Sequence, residues 1–131
     1  MKKIWLLATV LFVVALALTG CSSQKVTLEI AMSDFAFTPR TLEVPAGAEI
    51  TLHLTNNGAL LHEMVIMIYG KEATAPFDED DESNIYWEHE LEHGEKATVT
   101  FTAPSEPGEY QLVCGIPAHI EQGMVGTLIV K

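Results

Sequence analysis

Hydrophobic and polar positions alternate with a period of two along most of the chain beyond residue 25. Val26-Thr-Leu-Glu-Ile30, Thr41-Leu-Glu-Val44 and Lys96-Ala-Thr-Val-Thr-Phe-Thr102 all follow this rhythm. It places every second side chain on one face, as in a half-buried strand. The cleanest case is Ile50-Thr-Leu-His-Leu-Thr55, where Ile50, Leu52 and Leu54 share one face and His53 falls on the solvent side. Glu63 to Tyr69 is a mostly apolar run in which Met64 and Met67 are expected to pack in the core. Glu109 to Cys114 and Val125 to Lys131 read as the last two strands. Pro45-Ala-Gly47, Asn56-Asn57-Gly58 and Pro104 to Gly108 supply turns between them. No long segment has helical periodicity. About seven to eight short strands at this spacing predict an all-β fold, a Greek-key β-sandwich. Gly70 to Gly94 departs from the pattern as a long acidic insertion, with a short helical turn expected around Ile85 to His93.

The N-terminus follows a different pattern. Met1-Lys2-Lys3 is basic, and Ile4 to Leu18 is apolar without a charge. That is the layout of a secretory signal and is short for a membrane span. It ends in Leu18-Thr19-Gly20-Cys21, which resembles the lipobox of bacterial lipoproteins. The expected organisation is a signal peptide over residues 1–20, an acylated Cys21 with a short tether over 21–25, and one domain over 26–131. An uncleaved N-terminal anchor is the alternative. Either arrangement holds the domain outside the cytoplasm at a membrane, in the periplasm or on the outer face of the cell membrane. Several acyl chains on one residue anchor stably.

That compartment changes the meaning of the cysteines. There are two. With Cys21 assigned to the lipid, Cys114 is a lone thiol in an oxidising environment, a liability unless it is buried or metal-bound.

Cys114 also opens the most informative stretch of the chain, Cys114-Gly-Ile-Pro-Ala-His119-Ile-Glu-Gln-Gly-Met124. Thiol, imidazole and thioether follow one another as C-x4-H-x4-M on one loop, and His62 stands far upstream at the head of an apolar run. One thiolate, two imidazoles and a weak thioether are the donor set of a blue-copper centre. The soft sulfurs suit Cu(I) and imidazole suits both oxidation states, so the set serves one-electron cycling. Zinc also binds Cys and His, but a thioether is a poor zinc ligand. The expected roles are His62, Cys114 and His119 as equatorial ligands of one copper ion per chain, with Met124 as a long axial ligand.

On these residues the chain resembles the cupredoxins, the small blue-copper proteins, over roughly Val26 to Lys131. Asn56-Asn57-Gly58-Ala59-Leu60-Leu61-His62 looks like the loop that delivers the first histidine in plastocyanin. The C-x4-H-x4-M spacing, followed by Val125-Gly-Thr-Leu-Ile-Val130, resembles the auracyanin pattern; plastocyanin has a shorter Cys-to-His gap and azurin a shorter His-to-Met gap. Phe35-Ala-Phe37-Thr-Pro39 and Val44-Pro45-Ala-Gly47 resemble the family's N-terminal strands. Two positions depart from it. The resemblance implies Asn after the first histidine and often Ser or Thr after the cysteine, bonded across the site. This chain has Glu63 and Gly115 there, so the brace around the ligands must be built differently. The azurin-type disulfide is absent.

Charge narrows the partners. Asp and Glu outnumber Lys and Arg 18 to 7, and loss of Lys2 and Lys3 moves the net charge from -11 to -13. Nucleic acid is excluded as a partner on this ground, and a basic protein is favoured. Asp78, Glu79, Asp80, Asp81 and Glu82 form the densest acidic run. With Glu88, His89, Glu90, Glu92 and His93 the insertion has three readings: a solvated loop, a docking surface for a basic partner such as a cytochrome c, or a weak second metal site using His89 and His93. Leu60 and Leu61 near His62, with Ile116, Pro117 and Ile120 around His119, form a candidate apolar docking patch. The functional expectation is an extracytoplasmic, membrane-tethered, monomeric electron carrier between redox proteins, including a membrane oxidase or reductase, and not an enzyme. A copper chaperone, buffer or resistance protein with the same ligands is the alternative.

Overall fold

The structure is a computed structural model that describes residues 24–131. The expected signal peptide and Cys21 lie outside the described residues. Among the described residues nine strands form: β1 (Lys25–Ser33), β2 (Ala36–Thr38), β3 (Thr41–Val44), β4 (Glu49–Asn56), β5 (His62–Met67), β6 (Ile85–Leu91), β7 (Lys96–Thr102), β8 (Gly108–Cys114) and β9 (Val125–Val130). One sheet has the order β2-β1-β4-β7 and the other β3-β9-β8-β5-β6. The pairs β1–β4 and β3–β9 are parallel and the rest antiparallel. Two mixed sheets packed face to face are the expected β-sandwich.

The core follows from the alternation. Ile50, Leu52 and Leu54 are buried from β4, and Ile30, Leu42, Val44, Leu112 and Leu128 meet them from the other strands. From Met64 to Met67 β5 is apolar at every position because both of its faces are covered there. Met64 and Ile66 join the core between the sheets, while Val65 and Met67 join a second cluster with Ala73, Val113 and the flanking Phe77 and Ile85. A strand covered on both sides reads as a continuous hydrophobic run. The insertion therefore acts as a cover for the outer face of the second sheet. Gln111 clamps it there, accepting from the Ala73 amide at 2.7 Å and donating to the Ala73 carbonyl at 3.0 Å.

The insertion corrects one expectation. Ile85 to His93 is not helical. Residues 85–91 form β6, the edge strand beside β5, with His62 opposite Leu91 and Met64 opposite His89. Trp87, His89 and Leu91 turn inward while Tyr86, Glu88 and Glu90 face solvent, a period of two; at the start of the strand the register shifts, and Ile85 pairs with Met67 and packs on the outer cluster. Trp87 stacks on Phe101 of β7 with ring centroids 4.7 Å apart, which closes the sandwich along this side. The helical turn lies earlier, as α1 (Glu79–Glu82). Asp78 caps it by accepting from the Asp80 amide, and Asp81 returns a bond to the Asp78 amide, a capping box. Acidic residues fill this turn, where a helix start favours negative charge. Among the described residues no helix is long and apolar enough to cross a membrane.

Candidate metal centre

The sheet register brings the distant ligands together. Met64 of β5 lies opposite Cys114 of β8. Opposed residues on paired strands point to one face, and His62 shares that face with Met64 by alternation. His62 and Cys114 therefore meet at one end of the sandwich, both fully buried.

The loop after β8 then doubles back. His119 donates its amide to the Ile116 carbonyl, and its own carbonyl accepts from Gln122 and Met124 at 3.2 and 3.0 Å. The Cys114 amide donates to the Met124 carbonyl at 3.1 Å, which closes the loop at its base and seats the fully buried Met124 beside the cysteine. Gly123 makes the last bend at φ +87°, with open space where a Cβ would stand; its glycine is required by conformation alone.

Three donor atoms converge. His62 Nδ1 lies 3.2 Å from His119 Nδ1, Cys114 Sγ lies 3.2 Å from His119 Nδ1, and Sγ lies 3.9 Å from His62 Nδ1. A triangle with these edges has its centre about 2.0 Å from each corner, within the roughly 2.0–2.3 Å at which a metal ion holds imidazole nitrogen and thiolate sulfur. Among the described residues this is the one group of three or more His, Cys, Asp or Glu side chains placed to share an ion.

Electrostatics act differently on the two donors Cys114 and His119. Burial pushes the Cys114 thiol up, and the amides of Glu63 and Ile116, which donate to its sulfur, act in the opposite direction. Without an ion the sulfur keeps its proton, so metal binding releases it. Burial, then the neighbouring His62, lowers the His119 pKa and keeps its imidazole neutral, the ligand form.

The departures at Glu63 and Gly115 explain each other. The Glu63 amide reaches Cys114 Sγ at 3.4 Å, so the backbone at this position supports the sulfur. Its side chain points away from the ligands, where a Cβ on Gly115 would collide with the carboxylate and press on Val65. Burial, with Glu88, Glu90 and Glu82 nearby, raises the Glu63 pKa to about 7. Glu63 and Gly115 line an open cleft with Phe77, Glu82, Trp87 and Glu88.

The side-chain bracing of the His62 loop escaped the sequence. Asn56 is fully buried; its amide donates to the Leu60 carbonyl at 2.8 Å and the Leu91 carbonyl at 3.0 Å, and its oxygen accepts from Gly58 at 2.9 Å. Asp34 accepts from His62 Nε2 at 3.2 Å, and Phe35 packs edge-on against His119 at 5.2 Å. Nothing local in the sequence singles out Asp34, which sits in a turn 28 residues before His62.

The helical face expected to join His89 and His93 does not form. His89 lies on β6, and His93 in the next turn bonds the Gly58 carbonyl at 2.5 Å, so the pair shares no helical face and His93 braces the ligand loop. His53 is half-exposed and bonds Thr98. Leu60 is 43% exposed and Pro117 is exposed, whereas Leu61, Ile116 and Ile120 are half-buried. Ile116 packs on the main core and Ile120 on the outer cluster. His119 itself is 6% exposed. Asp78, Glu79, Asp80 and Glu82 are exposed and Asp81 is half-exposed.

A family model described as "Cupredoxin-like domain" matches residues 4–130. The chain belongs to the cupredoxins. It is 34% identical to auracyanin-A of Chloroflexus aurantiacus over 126 residues, an alignment covering 83% of this chain and 76% of that protein. The dithionite-reduced auracyanin of Roseiflexus castenholzii superposes with a TM-score of 0.67 at 30% identity, covering 84% of this chain and 99% of that one. The copper-resistant cuproprotein CopI of Rubrivivax gelatinosus is 26% identical, covering 80% of this chain and 66% of that protein. In this cupredoxin two imidazoles, a thiolate and a buried thioether fit one type 1 copper ion.

Proposed function

We propose that this cupredoxin carries single electrons between redox proteins outside the cytoplasm, held at a membrane through acylated Cys21, with His62, Cys114 and His119 as equatorial ligands and Met124 as the axial one. The observation that supports this reading best is the donor triangle, already closed to copper dimensions in the folded chain. Copper, once bound, would supply reversible one-electron change between Cu(I) and Cu(II). The chain's own part is to hold one donor geometry across both states. Cys114 and His62 sit on paired strands, His119 and Met124 on a loop closed by backbone bonds, and the Glu63 amide supports the sulfur. Little then needs to move when an electron arrives or leaves.

His119 is the route out. It is the ligand imidazole that keeps a trace of exposure, 6% against 0% for His62, and Leu60, Pro117 and Ala118 are exposed near the ligand loops. A small apolar contact there lets a partner approach the site closely. Acidic α1 and β6 present Glu82 and Glu88 along the cleft that reaches Gly115, next to Cys114. A basic partner, such as a cationic cytochrome c, would be steered by this charge, which acts mainly on the association rate.

Stopped-flow transfer from the copper-loaded, acyl-free domain to a cationic cytochrome c tests the carrier role. The second-order rate should fall steeply as ionic strength rises from 0.01 to 1 M, where the screening length drops from about 30 Å to about 3 Å. The likeness to a copper-resistant cuproprotein favours a second reading, copper storage or transfer. Negligible electron transfer, with ready loss of Cu(I) to a chelator, would establish that second reading instead.

A further inference from the structure

Both ligand histidines are touched from outside by one hairpin turn, the β1–β2 connection at Asp34-Phe35. Phe35 meets His119 edge-on, and Asp34 meets His62 at Nε2, the ring nitrogen that faces away from the donor triangle. The contact is built rather than incidental. The same Asp34 oxygen accepts the Ala59 amide at 2.9 Å and the Leu60 amide at 3.3 Å, so the carboxylate is anchored to the ligand loop independently of the histidine. Gly58 makes the room: a Cβ there would collide with Asp34 Oδ1 and crowd His62 Nε2. Phe35 adopts φ 65°, a left-handed conformation unfavourable for an aromatic residue, and the turn holds it there.

A carboxylate can only accept. The proton of a neutral His62 is therefore drawn to Nε2, which leaves the Nδ1 lone pair facing His119 Nδ1 and Cys114 Sγ. A negatively charged acceptor on the far side of a ligand imidazole makes that imidazole a stronger donor. A stronger donor favours the more highly charged state of the bound ion.

We propose that Asp34 is a positioning residue for the copper site: its carboxylate holds His62 in the Nε2-protonated tautomer and shifts the site's preference toward Cu(II). This rests on the copper reading above. Three variants separate charge from placement. Asp34→Asn keeps an oxygen for the three donors and removes the charge. Asp34→Ala removes both, and Asp34→Glu restores the charge on a longer arm.

The first readout needs no metal. Imidazole ¹⁵N shifts of the metal-free protein should report His62 with a proton-bearing Nε2 and a bare Nδ1, and Asp34→Ala should turn this into a mixture of tautomers. The second is the midpoint potential of the copper-loaded protein. Asp34→Asn should lower the preference for Cu(II) over Cu(I) by tenfold or more, a rise of about 59 mV per decade, with Asp34→Glu closer to the native value. An unchanged tautomer in Asp34→Ala, or an Asp34→Asn potential within twofold in that preference, overturns the proposal. If the native protein takes up no copper, the copper reading fails, and the tautomer of metal-free His62 still decides whether Asp34 positions it.

Discussion

Replacing Asn56 with alanine should loosen the ligand loop and destabilise the domain by an amount the structure allows one to work out. The side chain is fully buried and makes three hydrogen bonds, to Leu60 O, Leu91 O and Gly58 N. The Gly58 and Leu91 bonds are themselves buried, so water cannot fully replace the lost partner. A buried group left without a partner costs about 1–3 kcal/mol, and a part-exposed bond such as that to Leu60 contributes about 1 kcal/mol. A total near 3 kcal/mol follows, with the groups close enough that the losses are not simply additive. For a domain of about this size each 1 kcal/mol moves Tm by roughly 4–8 °C, so the expected fall is roughly 12–24 °C. Asn56→Asp should be at least as harmful, since a carboxylate oxygen would face two carbonyl oxygens where the amide now donates. Urea unfolding of the metal-free domain, with the m-value checked for constancy, gives the number. The same variant should bind copper more weakly, because His62 follows directly on the loop that Asn56 closes. An Asn56→Ala protein within 0.5 kcal/mol of the native one would refute the reasoning and show that solvent reaches these groups.

Other substitutions probe the surroundings of the site. Glu63 is held near pKa 7 by burial and by Glu88, Glu90 and Glu82, against an ordinary 4.5. Between those values the folded, metal-free protein binds more protons than the unfolded chain, so its stability should fall as pH rises from 4.5 to 7. Glu63→Gln should flatten that slope in urea titrations at several pH values. Gly115→Val should destabilise the domain and disturb the site spectrum, since its side chain would displace the Glu63 carboxylate and press on Val65; Glu63→Ala in the same chain should recover part of the loss. Met124→Leu should keep the colour of the copper-loaded protein and raise its potential, because a weak donor to Cu(II) has been removed; an unchanged potential would show that the thioether is packing alone.

The parts of the site that were legible in the sequence are those whose chemistry is carried by residue type. Cys114, His119 and Met124 follow one another as C-x4-H-x4-M, and a lone thiol beside an imidazole and a thioether invites a metal. The β4 pattern was equally plain, because one face of Ile50, Leu52 and Leu54 is buried and the other is not. The insertion was harder. His89 and His93 at a spacing of four suggest a helix face, whereas the inward set Trp87, His89 and Leu91 has the strand period that the structure shows. Covering of both faces of β5 is a tertiary fact, since residues 70–84 fold over its outer side. Asp34 and Asn56 were silent for a different reason. Each is a common turn or strand-end residue, and its role appears only when strands distant in sequence bring it beside the ligand loop. Gly58 likewise looks like an ordinary turn glycine until Asp34 occupies the space a Cβ would need, and Gly115 stands out in the sequence as a departure whose reason, the Glu63 carboxylate in that space, only the structure shows.

The most direct test of the copper centre is the visible absorption and EPR spectrum of the acyl-free domain, with Cys21 replaced, after one equivalent of Cu(II). The donor triangle of His62, Cys114 and His119 predicts an intense thiolate-to-copper band with small copper hyperfine splitting, both absent from Cys114→Ala. A colourless protein, or colour that survives Cys114→Ala, would contradict it.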